Sequence, residues 1–196
     1  FGNAGSRTHS YGGEANKAVN HSRKAVAEVA GCAPEEVVFT SGATESNNLA
    51  IRGLVERQTQ QGGHLLSLVT EHKAVLDPLH RLARRGCDLT LLDVQDQTST
   101  CPGRVDLNQF SEALRDDTVL VSVMLANNEI GVIQPIAEIG QRCRERKVLF
   151  HCDAVQGLGR IPFNVKDMKI DLVSISAHKM YGPKGIGALW VRRGRP

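Results

Sequence analysis

Apolar positions in this 196-residue chain fall in short blocks whose period alternates between that of a helix and that of a strand. The opening 1–10, FGNAGSRTHS, has no period and reads as a loop. From Gly13 to Ala30 the positions Ala15, Ala18, Val19, Ser22, Val26 and Val29 recur at helical spacing. Lys17, Arg23, Lys24 and Glu28 take the opposite face, and Gly31 supplies the stop. Glu36 to Thr40 predicts a buried strand, and the small polar run Ser41 to Ser46 turns it into a helix reaching about Gln60. A strand over Leu65–Thr70 leads to a helix over Ala74–Arg85 that turns Val75, Leu76, Leu79 and Leu82 inward. A strand over Asp88–Leu92 leads through a polar surface excursion, Asp93 to Arg104, to a short helix capped by Asp106 that carries Leu107, Phe110 and Leu114. The β-branched run Val119–Leu125 precedes a helix over Pro135–Arg146, and Val148–Asp153 is the next strand. After a connection through Lys166 to Lys169, Asp171–Ser176 and Ala188–Arg192 form two last strands, separated by the irregular glycine-rich run Tyr181 to Gly187.

Strands alternating with helices through short connections predict an α/β fold on a mostly parallel, doubly wound sheet. Parallel strands bring their carboxyl ends to one edge, where sheets of this kind bind ligands. The polar residues that end the apolar blocks therefore converge there: Ser41 to Thr44, His72, Asn127 and Asn128, Asp153 to Gln156, and Ser176 to Lys179.

Charge and composition remove several functions. The net charge of +3 comes from interspersed acids and bases, and aromatics make up 4% of the chain, so neither a nucleic-acid nor a membrane surface is expected. The five cysteines, Cys32, Cys87, Cys101, Cys143 and Cys152, are odd in number and form no CxxC pair; neither a disulfide framework nor a metal site is expected. No apolar run is long enough to span a bilayer and no charged-then-apolar leader opens the chain, which predicts a soluble, cytoplasmic protein. A start at Phe1 and a stop at Arg195-Pro196 directly after a strand predict a piece of something longer.

Several of the converging residues have two readings when taken alone. Lys179 is either a solvated charge at a strand tip or a Schiff-base lysine, made nucleophilic by desolvation and by neighbouring positive charge such as His178. The turn at Thr44 is either a plain helix cap or a phosphate cradle at the positive end of a helix. His72 is either a hydrogen-bonded surface histidine or a functional one. Placed around one crevice, they sketch a single ligand: a phosphate at the Thr44 helix start, an aldehyde for Lys179, and a ring nitrogen that Asp153 keeps protonated. Pyridoxal 5'-phosphate has those three features.

The segments FTSGATESNNLAI, TEHKAVLDP, NNEIGVIQPI, HCDAVQ and SISAHKMYGPKGIGAL, in that order and nearly end to end, resemble the cysteine desulfurases, the NifS-like class V aminotransferase family. SGATESNN and NNEIG are more similar to the NifS and IscS branch than to the SufS branch. The resemblance implies that 1–196 is the large domain of a fold type I pyridoxal-phosphate enzyme, lacking an N-terminal segment and the C-terminal small domain. Lys179 would carry the Schiff base. Ala43, Thr44, Ser176 and His178 match phosphate-binding positions, Asp153 would pair with the pyridinium nitrogen, and Gln156 would contact the ring hydroxyl. His72 would stack on the ring and move protons, and Asn128 would lie near the substrate amine.

The implied reaction converts L-cysteine to L-alanine and leaves sulfur as a persulfide on an enzyme cysteine, for transfer to an iron–sulfur scaffold or another acceptor protein. The resemblance also implies a homodimer at full length, with one phosphate ligand from the other subunit. The loop bearing the nucleophilic cysteine belongs to the part beyond Pro196, none of the five cysteines matches it, and the chain alone is expected to be inactive. Gln95 to Arg104 looks longer than in typical relatives. Selenocysteine lyase, another class V enzyme, and a non-catalytic scaffold subunit of the same fold are the competing readings. A plain nucleotide-binding domain is disfavoured by the lack of a GxGxxG after the first strand.

Overall fold

The computed structural model describes residues 2–6, 8–58 and 62–194. Phe1, the expected helix end at Gln60, and Arg195-Pro196 lie outside the described residues. Short apolar blocks form the strands β1 (Val37–Thr40), β2 (His64–Leu68), β3 (Asp88–Leu92), β4 (Thr118–Met124), β5 (Leu149–Asp153), β6 (Leu172–Ser176) and β7 (Gly187–Val191). The helices are α1 (Ser10–Ala30), α2 (Ala43–Gln58), α3 (Lys73–Ala83), α4 (Leu107–Ala113) and α5 (Ile136–Glu145). Each lies within a few residues of its sequence expectation.

The strands make one sheet in the order β1-β7-β6-β5-β4-β2-β3. β7 runs antiparallel to both β1 and β6, and the other pairings are parallel. The carboxyl ends of β1 to β6 therefore share one edge with the start of β7, where Gly187 pairs with both Thr40 and Ser176.

Consecutive strand residues go to opposite faces, and both faces are apolar. Leu65, Leu120, Leu149 and Leu189 join Ile51, Leu54, Val75 and Leu79 of α2 and α3. Their neighbours Leu66, Val121, Phe150 and Trp190 join Phe110 of α4 and Ile139 of α5. Two buried histidines cross-link strands within these layers. His64 bonds the hydroxyls of Thr118 and Thr90, each at 2.8 Å. His151 bonds Ser122 at 2.8 Å and Ser174 at 2.9 Å, and burial pushes it down to about 3, so it is neutral.

α1 corrects one expectation. Ala18, Ser22 and Val29 are exposed, and the side that meets the fold instead carries Arg23, Ala27 and Ala30. The cause is the edge strand: Arg23 Nη1 donates to the Val37 carbonyl and its guanidinium lies 5.0 Å from the Phe39 ring centroid. The polar excursion after β3 folds back on itself, with Gln95 N–H donating to the Arg104 carbonyl at 2.8 Å. Gln134 clamps it, accepting from Val105 N–H at 3.0 Å and donating to the Gly103 carbonyl at 2.9 Å.

Candidate active site

The junction from β1 to α2 is built by small hydroxyl residues. Thr40 Oγ1 and Ser46 Oγ lie 2.8 Å apart, and Ser41 donates from both its N–H and its hydroxyl to the Glu45 carboxylate at 2.6 Å. Those bonds hold the Glu45 carboxyl below its usual range. Because α2 starts at Ala43, the N–H groups of Ala43 and Thr44 precede any carbonyl partner within the helix and lie at the positive end of its dipole. Strand β7 must pass close by. A Cβ built on Gly187 would lie 2.5 Å from the Ile175 carbonyl oxygen and 2.7 Å from Gly42 Cα. Gly187→Ala should therefore push the start of β7 away from this turn and cost about 1–3 kcal/mol, read as a lower urea midpoint at unchanged slope.

At the end of β6 the chain enters a tight turn, Ala177–Met180, which closes with Tyr181 in the left-handed region at φ 61°. Ser176 Oγ and His178 Nδ1 lie 2.8 Å apart. Lys179 is half-buried in this turn, and its carbonyl accepts from Arg160 Nη2 at 2.7 Å. The backbone at Lys179 is thus anchored separately from its amine.

His72 caps α3, its Nδ1 accepting from the Ala74 N–H at 3.0 Å. That bond occupies Nδ1 and leaves Nε2 as the ring atom free to carry or exchange a proton. Asn127, at the end of β4, holds the next loop: its Oδ1 accepts from Glu129 and Ile130 N–H groups and its Nδ2 donates to the Thr70 carbonyl. It serves the backbone, and exposed Asn128 reaches the crevice.

These elements enclose a cavity of about 490 Å³. Ala43, Thr44, Ser176 and His178 line one part of it; His72, Asn128, Gln156 and Lys179 line the rest. Asp153 lies behind the lining and is 5% exposed. Its Oδ2 accepts from Asn47 Nδ2 at 2.8 Å and its Oδ1 from the N–H of Val155, a lining residue, at 3.1 Å. Burial pushes the Asp153 carboxyl up, and these two bonds and His72 pull against that. Eight of the nine sequence-expected residues thus surround one cavity, and the ninth supports it.

Sequence reasoning missed three residues. Lys184 lines the cavity from the loop before β7. Asn47 is fully buried among the apolar positions of α2, and a polar residue at an inward helical position was the available signal. Glu71 is 5% exposed beside Asp153, and an acid just before a helix gives no such signal. Among the described residues no cysteine lines the cavity, and burial raises Cys32 to about 11 and pushes Cys143 and Cys152 up as well. No helix among the described residues is long and apolar enough to cross a membrane.

The family model described as aminotransferase class-V matches residues 1–195. The cysteine desulfurase IscS of Colwellia psychrerythraea is 53% identical over 193 residues, which is 98% of this chain and 46% of that protein. The chain thus spans about half the length of the curated relatives it matches. A solved structure described as SspA in complex with cysteine superposes with a TM-score of 0.93 at 41% identity, covering 98% of this chain and 54% of that one. A structure described as a NifS-like protein gives a TM-score of 0.93 at 38% identity over 100% of this chain and 52% of the other.

Proposed function

The chain belongs to the class-V aminotransferase family, and from that premise we propose that it is the cofactor-binding part of a pyridoxal-phosphate-dependent cysteine desulfurase. One observation carries the reading: Lys179, His72 and the helix-start residues Ala43 and Thr44 line one cavity, and the buried Asp153 carboxylate is bonded to Val155 of its wall. The residues fit the cofactor. The helix-start N–H groups of Ala43 and Thr44 suit its phosphate, and the desolvated Asp153 suits a protonated ring nitrogen, because a buried carboxylate is stabilised by a cation placed against it. When bound, pyridoxal phosphate supplies an aldehyde for covalent attachment and an electron sink for a carbanion.

The chain's own residues divide the remaining work. Lys179 would hold the cofactor through its amine. Ser176 and His178 would complete the phosphate cradle, Gln156 would take the ring hydroxyl, and Asn128 would orient the substrate. His72 would pack on the ring and move protons at Nε2, with Nδ1 held by the Ala74 N–H. Sulfur then leaves by attack of a cysteine thiolate from outside this chain: an S–S bond forms as the Cβ–S bond breaks, and the bonding pair stays on Cβ, which takes a proton. The products are L-alanine and an enzyme persulfide, which an iron–sulfur scaffold or similar acceptor removes. The cysteine named with one structural relative supports this choice of substrate. In this reading the complete protein is a homodimer, and these 196 residues, which span about half the length of their relatives, do not turn over cysteine by themselves.

Borohydride reduction of the complete protein with pyridoxal phosphate, followed by peptide mass spectrometry, tests the assignment. A reduced adduct on Lys179 is expected. A folded protein with no adduct, or with its adduct on another lysine, would refute it.

A further inference from the structure

Glu71 sits between β2 and α3, one residue before His72, and is 5% exposed. Its Oε1 accepts from the Met124 N–H at 2.8 Å, and Met124 is the residue opposite Asp153 in the β4–β5 ladder. Its Oε2 is buried and, among the described residues, has no hydrogen-bond partner. The ionisable groups that act on it or feel it are Asp153 and the buried Cys152 thiol, both from β5, and among the described residues no cation acts on Glu71 itself. His72, the next residue, acts on Asp153.

Two carboxyl groups that act on each other away from water do not both ionise, and the proton goes to the one whose charge is less well supported. Asp153 accepts two hydrogen bonds, from Asn47 and Val155, and has His72 on the favourable side. Glu71 accepts one. An unpartnered oxygen also costs more on a buried carboxylate than on a neutral acid. Desolvation and Asp153 both push the Glu71 carboxyl well above the usual range.

We propose that Glu71 is held as the neutral acid in the folded protein and is a positioning residue for Asp153, tying the β4 backbone opposite that carboxylate without placing a second negative charge beside it. The use of this arrangement, one unshared charge for the ring nitrogen, rests on the pyridoxal-phosphate reading. The protonation of Glu71 does not.

The test uses the complete protein, with and without cofactor, and the variants Glu71→Gln and Glu71→Ala. Glutamine keeps the shape and neutrality of the protonated acid. Above the ordinary carboxylate value of 4.5 the unfolded chain releases the Glu71 proton and the folded state keeps it, so the wild-type protein loses stability as pH rises from there toward the raised folded value. Glutamine has nothing to titrate. The denaturant midpoint of Glu71→Gln should therefore climb relative to wild type across that window, and isotope-edited infrared spectra at pH 7 should show a protonated-acid carbonyl band that the variant lacks. With cofactor, Glu71→Gln should keep the absorbance of the bound pyridoxal phosphate and its pH titration, whereas Glu71→Ala, which gives up the Met124 bond, should lose about tenfold in cofactor affinity.

No protonated-acid band, or a Glu71→Gln midpoint that falls relative to wild type with rising pH, would mean an ionised Glu71 and overturn the proposal. Wild-type affinity in Glu71→Ala would overturn the positioning role. Wild-type protein that binds no pyridoxal phosphate would sink the cofactor reading, while the infrared and stability results would still decide the state of Glu71.

Discussion

Lys179→Ala in the complete protein should lower alanine release from cysteine by at least roughly 10⁴-fold and abolish the borohydride-stable adduct. The substitution removes the amine and the methylene stem that carries it, and leaves the backbone bonds of the turn in place. The turn at Ala177–Met180 is fixed by Arg160 on the Lys179 carbonyl and by the Gly182 N–H on the Ala177 carbonyl at 2.9 Å, and neither bond involves the lysine side chain. The circular dichroism spectrum and urea midpoint should therefore stay close to wild type, while pyridoxal phosphate still associates without a covalent bond through the α2 amides and Asp153. The loss is large because attachment and release of the cofactor both need this one amine. Turnover within tenfold of wild type would remove Lys179 from the chemistry. An unchanged adduct yield in the variant would assign the attachment to another lysine, of which Lys184 is the cavity-lining candidate.

The edge on which these residues meet was legible because two independent periodicities constrain it. The strand period shows as short apolar blocks, and the intervening helices force neighbouring strands to run parallel, so that His72, Asp153 and Ser176 could be placed together without knowing any contact. The hand-off from β6 to β7 was legible only as a glycine-rich gap. That Gly187 brings the start of an antiparallel β7 against Gly42 is a property of the sheet order, which the linear pattern does not encode. The α1 face was misread for a related reason. Ala18, Ser22 and Val29 satisfy a helical period, yet β1 is a sheet edge with an open carbonyl, and Arg23 meets that need better than an apolar side chain.

Depth was the least legible quantity. Asp153 terminates an apolar strand and was read as a tip residue like the others, whereas it lies behind the cavity wall with Asn47 and Glu71 around it. Whether a polar side chain lines a crevice or supports it depends on which neighbours cover it. Asn47 comes from α2 and Glu71 from the β2–α3 junction, far from Asp153 along the chain. The support of the site is therefore long-range, while its lining is made of local strand-to-helix turns.

Asp153→Asn should separate activity from stability in opposite directions. Activity should fall about 10²–10⁴-fold, because an amide cannot keep a ring nitrogen protonated and the bound cofactor loses its capacity to accept the electron pair from Cα. The geometry should survive: the new amide oxygen can still accept from Val155, and Asn47, whose Oδ1 is buried without a partner, can rotate to present an acceptor to the new amide nitrogen. Stability should move the other way. The Asp153 carboxyl is raised above 3.8 in the folded chain, so the cofactor-free wild type binds more protons folded than unfolded and loses stability as pH rises through that value. The amide has no such loss, and the cofactor-free variant should show the higher denaturant midpoint at pH 7. Pyridoxal phosphate should reverse the order, since it stabilises the protein that can pair a ring cation with a carboxylate more than the one that cannot. A lower midpoint for the cofactor-free variant across the neutral range would contradict a carboxylate held at a cost for its ligand. An equal midpoint shift by cofactor in the two proteins would show that Asp153 does not meet the ring nitrogen.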